Sequence, residues 1–167
     1  MTINQIGMKK LTFIILAAFG LFNQGCHPDK CCSPPQSEMY IIAQKDSVQW
    51  LANPDGTMAH DTINIKGIGV NSTSLQEVLG FQIKYNGAGN YKLVSGQVSF
   101  STTAGHGTPV TNYKLDSLFN NSLNIDNYDQ GSNTISGTFN VKFVDPNTDN
   151  HKDISFLEGK FNVALHK

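Results

Sequence analysis

The sequence predicts an all-β protein: an antiparallel β-sandwich, or a partly open barrel, of about ten short strands behind an export leader and a linker. Three observations carry that expectation. From Met39 onward, apolar residues alternate with polar ones at period two, the signature of a half-buried strand. Gly, Asn, Asp and Ser clusters interrupt the alternation at short, regular spacings. Charged residues are only 15% of the chain, and Asn, Ser, Thr and Gly take their place, a composition suited to turns and strand faces.

The first element is the leader, residues 1–25. Met8, Lys9 and Lys10 open a short positive region, and residues 1–7 read as an extension upstream of a start at Met8. Leu11 to Phe22 is apolar apart from Thr12 and Gly20. A run of about a dozen residues is short for a bilayer span of roughly 20, and fits the apolar region of a signal peptide. Gly25 and Cys26 follow it. A small residue before Cys at that place resembles the lipobox of bacterial lipoproteins, which implies a diacylglyceryl group on Cys26 and cleavage before it. Asn23 departs from the aliphatic residue usual three positions before the Cys. Two other readings stay open: an ordinary cleaved signal with a free Cys26, and an uncleaved anchor. Two acyl chains would give durable membrane attachment.

The second element is a tether, residues 26–38. It holds three prolines and no apolar periodicity. Cys31 and Cys32 lie in it, and with Cys26 they are the only cysteines. A zinc site would need a second ligand pair elsewhere, and none exists. In an oxidising compartment a disulfide is expected, either between Cys31 and Cys32 or to another molecule.

The third element is the domain, residues 39–167. Met39 to Ala43 starts it, and Val48, Trp50 and Ala52 alternate before an expected turn at Asn53 to Gly56. Ile63 and Ile65 alternate, and a phase slip at Gly67 predicts a β-bulge before Ile68 and Val70. Leu79, Phe81, Ile83 and Tyr85 form the next strand, ahead of a turn at Asn86 to Gly89. Tyr91 and Leu93, a turn at Ser95-Gly96, then Val98 and Phe100 continue the series. Ser101 to Pro109 reads as a loop. Tyr113 and Leu115, Leu123 and Ile125, Ile135 to Phe143, Ile154 and Phe156, and Phe161 to Leu165 complete the strands. Short helical turns are expected only near Ser74–Val78 and Ser117–Asn120. The aromatic residues fall on the inward phase and read as core.

The C-terminal third carries a resemblance. Tyr128-Asp129 precedes Ile135-Ser136-Gly137-Thr138-Phe139, and the closing strand holds Gly159, Phe161 and Val163 at alternate positions. Upstream, Gly89, Tyr91 and Leu93 repeat that spacing. This pattern resembles a family of small Gram-negative bacterial lipoproteins with a C-terminal β-sandwich domain whose biochemical role is unknown. The resemblance covers most of residues 40–165 and implies a lipid-anchored sandwich in the cell envelope, on the outer membrane and facing periplasm or surface. It implies no activity. Gly137 is expected to permit close packing or a bulge, and Gly159 to sit in a hairpin turn.

Chemistry-bearing residues are sparse. Asp145, Asn147, Asp149, His151 and Asp153 alternate as in a calcium loop, but Asn150 and Phe156 stand where Gly and Glu are required. His60-Asp61, His106 and His151 have no nucleophile turn to serve, and no glycine-rich loop opens a helix. No enzyme and no cofactor are expected. The chain has no arginine, so a nucleic-acid partner is not expected either. Asp46-Ser47-Val48, Asp61-Thr62-Ile63 and Asp116-Ser117-Leu118 share one pattern, which resembles the O-glycosylation acceptor of some exported bacterial proteins and makes Ser47, Thr62 and Ser117 candidates. The expected function is non-catalytic binding of a ligand, glycan or protein by loops such as Ser101–Asn112 and Asp145–Asp153. The alternative is an accessory subunit of an envelope complex.

Overall fold

The structure, a computed structural model, describes residues 38–70, 75–104, 109–146 and 153–166. Cys26, Cys31, Cys32, His106 and His151 lie outside them. The residues from Ser37 to Lys167 make one compact unit.

Inward apolar side chains at every second position build ten strands: β1 (Tyr40–Lys45), β2 (Val48–Ala59), β3 (Thr62–Val70), β4 (Gln76–Lys84), β5 (Gly89–Lys92), β6 (Val98–Thr103), β7 (Pro109–Leu115), β8 (Ser122–Asp129), β9 (Thr134–Val144) and β10 (Asp153–Ala164). No helix occurs among the described residues. Every strand-to-strand ladder is antiparallel. The expected all-β class is what forms, and its sheet closes on itself. The order β1-β2-β3-β4-β6-β7-β9-β10 returns to β1 and makes an eight-stranded barrel. Strands β8 and β5 extend from it, β8 along the first half of β9 and β5 along β8.

Two strands turn the corners. β2 pairs with β1 from Val48 to Ala52, then with β3 from Asn53 to Ala59. β7 pairs with β6 from Pro109 to Tyr113, then with β9 through Lys114 and Leu115 alone. Strands that change partner in this way let one sheet wrap into two facing layers. They also explain why Asn53 to Gly56 is not a turn. Pro54 falls where β2 leaves one neighbour for the next, a place where a strand tolerates proline. A Cβ on Gly56 would stand 2.6 Å from Val163 Cγ1, so glycine there admits the C-terminal end of β10.

A barrel of eight strands has an interior that side chains can fill. Here Phe100 is the hub: its ring centroid lies 5.0 Å from Phe156, 5.6 Å from Phe143 and 5.0 Å from Tyr113. Trp50 meets Phe156 edge-on at 5.1 Å, and Phe81 meets Phe139 at 5.0 Å. The aromatic residues expected in the core are there.

Three further local expectations are corrected. Gly67 makes no bulge: β3 keeps register with both neighbours, Gly67 and Gly69 face inward, and Ile68 and Val70 face out. Gly159 is not in a hairpin turn. β10 runs through it with an irregularity between Phe156 and Gly159, where Glu158 takes a positive φ of 51°, and a Cβ on Gly159 would strike the Phe139 ring at 2.4 Å. Ser117–Asn120 is a turn held by Asp116, whose carboxylate accepts from Leu118 N at 3.0 Å, and Gln76–Val78 belong to β4. Close packing at Gly137 is as expected, since its Cβ would meet Asn124 O at 2.0 Å.

Candidate functional site

One end of the barrel carries the polar chemistry. The register places Lys45, Val70, Gln76, Thr103 and Asp153 there, because each begins or ends a strand at that rim. At that rim β2 separates from β3. Their ladder stops at Asn53 and Ile68, whereas β3 stays paired with β4 up to Val70. The gap is a cleft of about 300 Å³ lined by Lys45, Asp46, Val48, Gln49, Trp50, Val70 and Glu77.

Glu77 heads the inward series that Leu79, Phe81 and Ile83 continue, so the strand delivers a carboxylate to the interior. It is 1% exposed. Lys45 takes the place after Ile41 and Ala43 on the inward series of β1. Its ammonium meets Glu77 Oε1 at 2.5 Å and stands 5.6 Å from the centre of the Phe100 ring. A carboxylate withdrawn from water needs such a partner, because desolvation otherwise costs several kcal/mol per ion, on the order of its whole attraction. The ring face adds a further attraction for the ammonium.

Only one oxygen of Glu77 is satisfied. Oε2 is buried and has no hydrogen-bond partner among the described residues, and the same holds for Nε1 of Trp50, a residue 5% exposed. Glu77 and Trp50 approach one another at Gly69. Gly69 lies opposite Glu77 in the β3–β4 ladder, and a Cβ on Gly69 would stand 2.6 Å from Trp50 Nε1. The indole therefore occupies the side-chain space that Gly69 leaves empty, beside the Glu77 carboxylate. Buried polar atoms are nearly always paired, so two orphans on one cleft call for an explanation.

Further carboxylates stand among the described residues of the rim. Asp46 closes the β1–β2 turn onto β10, where its carboxylate accepts from Ser155 N at 2.8 Å. Burial raises the Tyr113 phenol above its ordinary value, and the carboxylates of Asp145, Glu77 and Asp46 push it the same way. Asp153, one residue of the calcium-like pattern, is engaged by Lys142 at 2.5 Å, and that hydrogen bond holds the lysine above its usual pKa. Asn147, Asp149 and His151 of that pattern lie outside the described residues.

The glycosylation candidates are scattered. Ser47 is exposed in the two-residue turn beside the cleft, Thr62 is half-buried at the start of β3 at the opposite end, and Ser117 is exposed in the turn after β7. Of the loop expected over Ser101–Asn112, Ser101–Thr103 belong to β6 and Pro109–Asn112 to β7 instead, and residues 105–108 and 147–152 lie outside the described residues. Lys45, Trp50 and Glu77 were not among the expected site residues. The signal for Lys45 and Glu77 was a charge on an inward phase, which a helical reading of Ser74–Val78 hid at Glu77.

No family model, curated protein or solved structure matches the chain.

Proposed function

We propose that this chain is an exported lipoprotein, tethered to an envelope membrane through Cys26, whose barrel is a non-catalytic module that binds a small ligand in the cleft between β2 and β3. The observation that carries the binding reading is the cleft of about 300 Å³ at the barrel rim, whose lining joins the Lys45–Glu77 ion pair to Val48, Trp50 and Val70. Mouths of barrels are common ligand sites, and a few convergent polar groups among apolar walls are their usual lining. The leader, Gly25-Cys26 and the proline-bearing tether support the address.

Trp50 is the sole tryptophan of the chain, so selectively excited tryptophan emission reports on this one residue of the cleft lining. The full-length protein in mild detergent is titrated with a library of sugars, amines, carboxylates and phosphate esters. At least one class should shift Trp50 emission saturably, and Val48→Phe, at an exposed wall of the cleft, should abolish that shift. A flat response to the whole library overturns the binding reading.

A further inference from the structure

We infer that the outer face of β10, β1 and β2 docks on a phospholipid surface; the inference rests on the membrane anchor proposed above. The register assembles an apolar patch on that face. Ile42 points outward from β1, between the buried Ile41 and Ala43, and stands opposite Leu51 of β2 and Lys160 of β10. Leu157 of β10 stands opposite Gln44, the next outward position of β1. Leu51 is 65% exposed and Leu157 38%, and Met39, one residue before β1, is 41% exposed. The neighbouring outward series of β9 is Ser136, Thr138, Asn140 and Lys142, the polar alternation of a solvated sheet face. The leucines break that rule on the face beside it.

The point where the tether arrives says what covers this patch. Glu38 is fixed beside β1: its carbonyl accepts from Asn162 Nδ2 at 3.0 Å, and Asn162 is an outward position of β10 opposite Tyr40. The chain therefore enters the barrel on the face that carries Ile42, Leu51 and Leu157. The residues from Cys26 to Ser37 span at most about 40 Å, so an anchored barrel stays close to lipid. His27 to Ser37 hold no Leu, Ile, Val, Met or Phe that could cover the patch instead. A second copy is a poor occupant, because a stable protein complex buries about 800 Å² per partner, far more than a few part-exposed side chains supply. A tethered face needs little attraction, since its effective concentration at the bilayer is already on the order of millimolar. Tyr40 and Lys160 suit the headgroup layer, where phenol and ammonium reach water and their apolar bodies lie along hydrocarbon.

The test returns full-length protein, purified from membranes in detergent, to vesicles of phosphatidylethanolamine and phosphatidylglycerol with brominated acyl chains. Bromine quenches tryptophan only at short range. Flotation with the vesicles reads the anchor, and quenching reads the face. Leu51→Trp puts an indole on the patch. Ser99→Trp puts one on the exposed side of β6, four strands from β1 in either direction. The emission of Trp50 is subtracted with the wild type. The added emission of Leu51→Trp should fall about twofold or more, and that of Ser99→Trp should stay within about a tenth of its value in unbrominated vesicles. Leu157→Asp added to Leu51→Trp should restore most of the lost emission, and both sites are exposed, so the barrel tolerates the changes. Equal quenching of the two indoles, or of neither, in protein that floats overturns the docking and leaves the anchor standing. Shielding of the Leu51→Trp indole from aqueous iodide that grows with protein density, without bromine quenching, assigns the patch to a second copy. Wild-type protein that does not float removes the anchor, and the docking with it.

Discussion

At the scale of single residues, the molecule turns on a few inward positions where the side chain is not an aliphatic. Lys45 and Glu77 compensate each other, and neither can be removed alone without leaving a charge facing the core. Glu77→Ala should lower stability by about 3 kcal/mol, the low end for a broken buried pair because Lys45 stays 20% exposed. The double change Lys45→Met with Glu77→Leu should recover most of that loss, and chemical denaturation of the three proteins measures both effects. Glycines taught a different lesson. At Gly67, Gly69, Gly137 and Gly159 the absent side chain, not the backbone freedom, is what the fold uses. Sequence patterning does not distinguish these two uses, so inward glycines beside Trp50 and Phe139 read as a bulge and a turn. Glu77 was hidden for a related reason: a carboxylate on an inward phase reads as part of a polar helical turn until its lysine, 32 residues away, is seen beside it.

At the scale of elements, strand identity was legible because each buried face repeats at period two. Strand ends were less so, because the long strands β2 and β10 run through residues that usually break a strand. Pro54 and Gly56 lie within β2, and Glu158 and Gly159 within β10. The hairpins show a further economy. The β1–β2 turn holds Asp46 and Ser47 at φ of 49° and 70°, and the β2–β3 turn holds His60 and Asp61 at 47° and 61°. Two-residue turns with both φ positive match the strand twist but favour Asn and Gly. Side chains other than glycine cost roughly 1–2 kcal/mol in that region. Ser47→Gly should therefore raise stability by about 1 kcal/mol, seen as a higher denaturation midpoint at unchanged slope. Such a variant also removes a hydroxyl from a glycosylation candidate, and intact-mass comparison of the native and variant proteins would show any glycan at Ser47 as a lost increment.

At the scale of the whole molecule, closure is what a ten-strand antiparallel chain gains from its corners. An open sheet of this length would present two long edges for pairing with other chains, and closure of β10 onto β9 leaves the order ending on the short strand β5. A chain tethered as proposed, held at high local density on a membrane, would benefit directly from that. The tether itself is tested by feeding cells a labelled lipid precursor: wild-type chain should take up label and Cys26→Ala should not. Equal labelling of the two would sink the anchor proposal while leaving the barrel untouched.

The wall of the barrel is not equally strong all round. β3 and β4 share an unbroken ladder from Thr62 to Val70, whereas β7 and β9 meet through Lys114–Val144 and Leu115–Phe143 only. Local opening follows the weakest run of backbone hydrogen bonds. The barrel therefore has a seam, and amide hydrogen exchange should find it: protons around Leu115 and Val144 should swap with solvent well before those of Ile65 and Phe81. Since Phe143 packs against the same Phe100 ring that lies under Lys45, a seam that breathes would loosen the floor of the cleft before its walls.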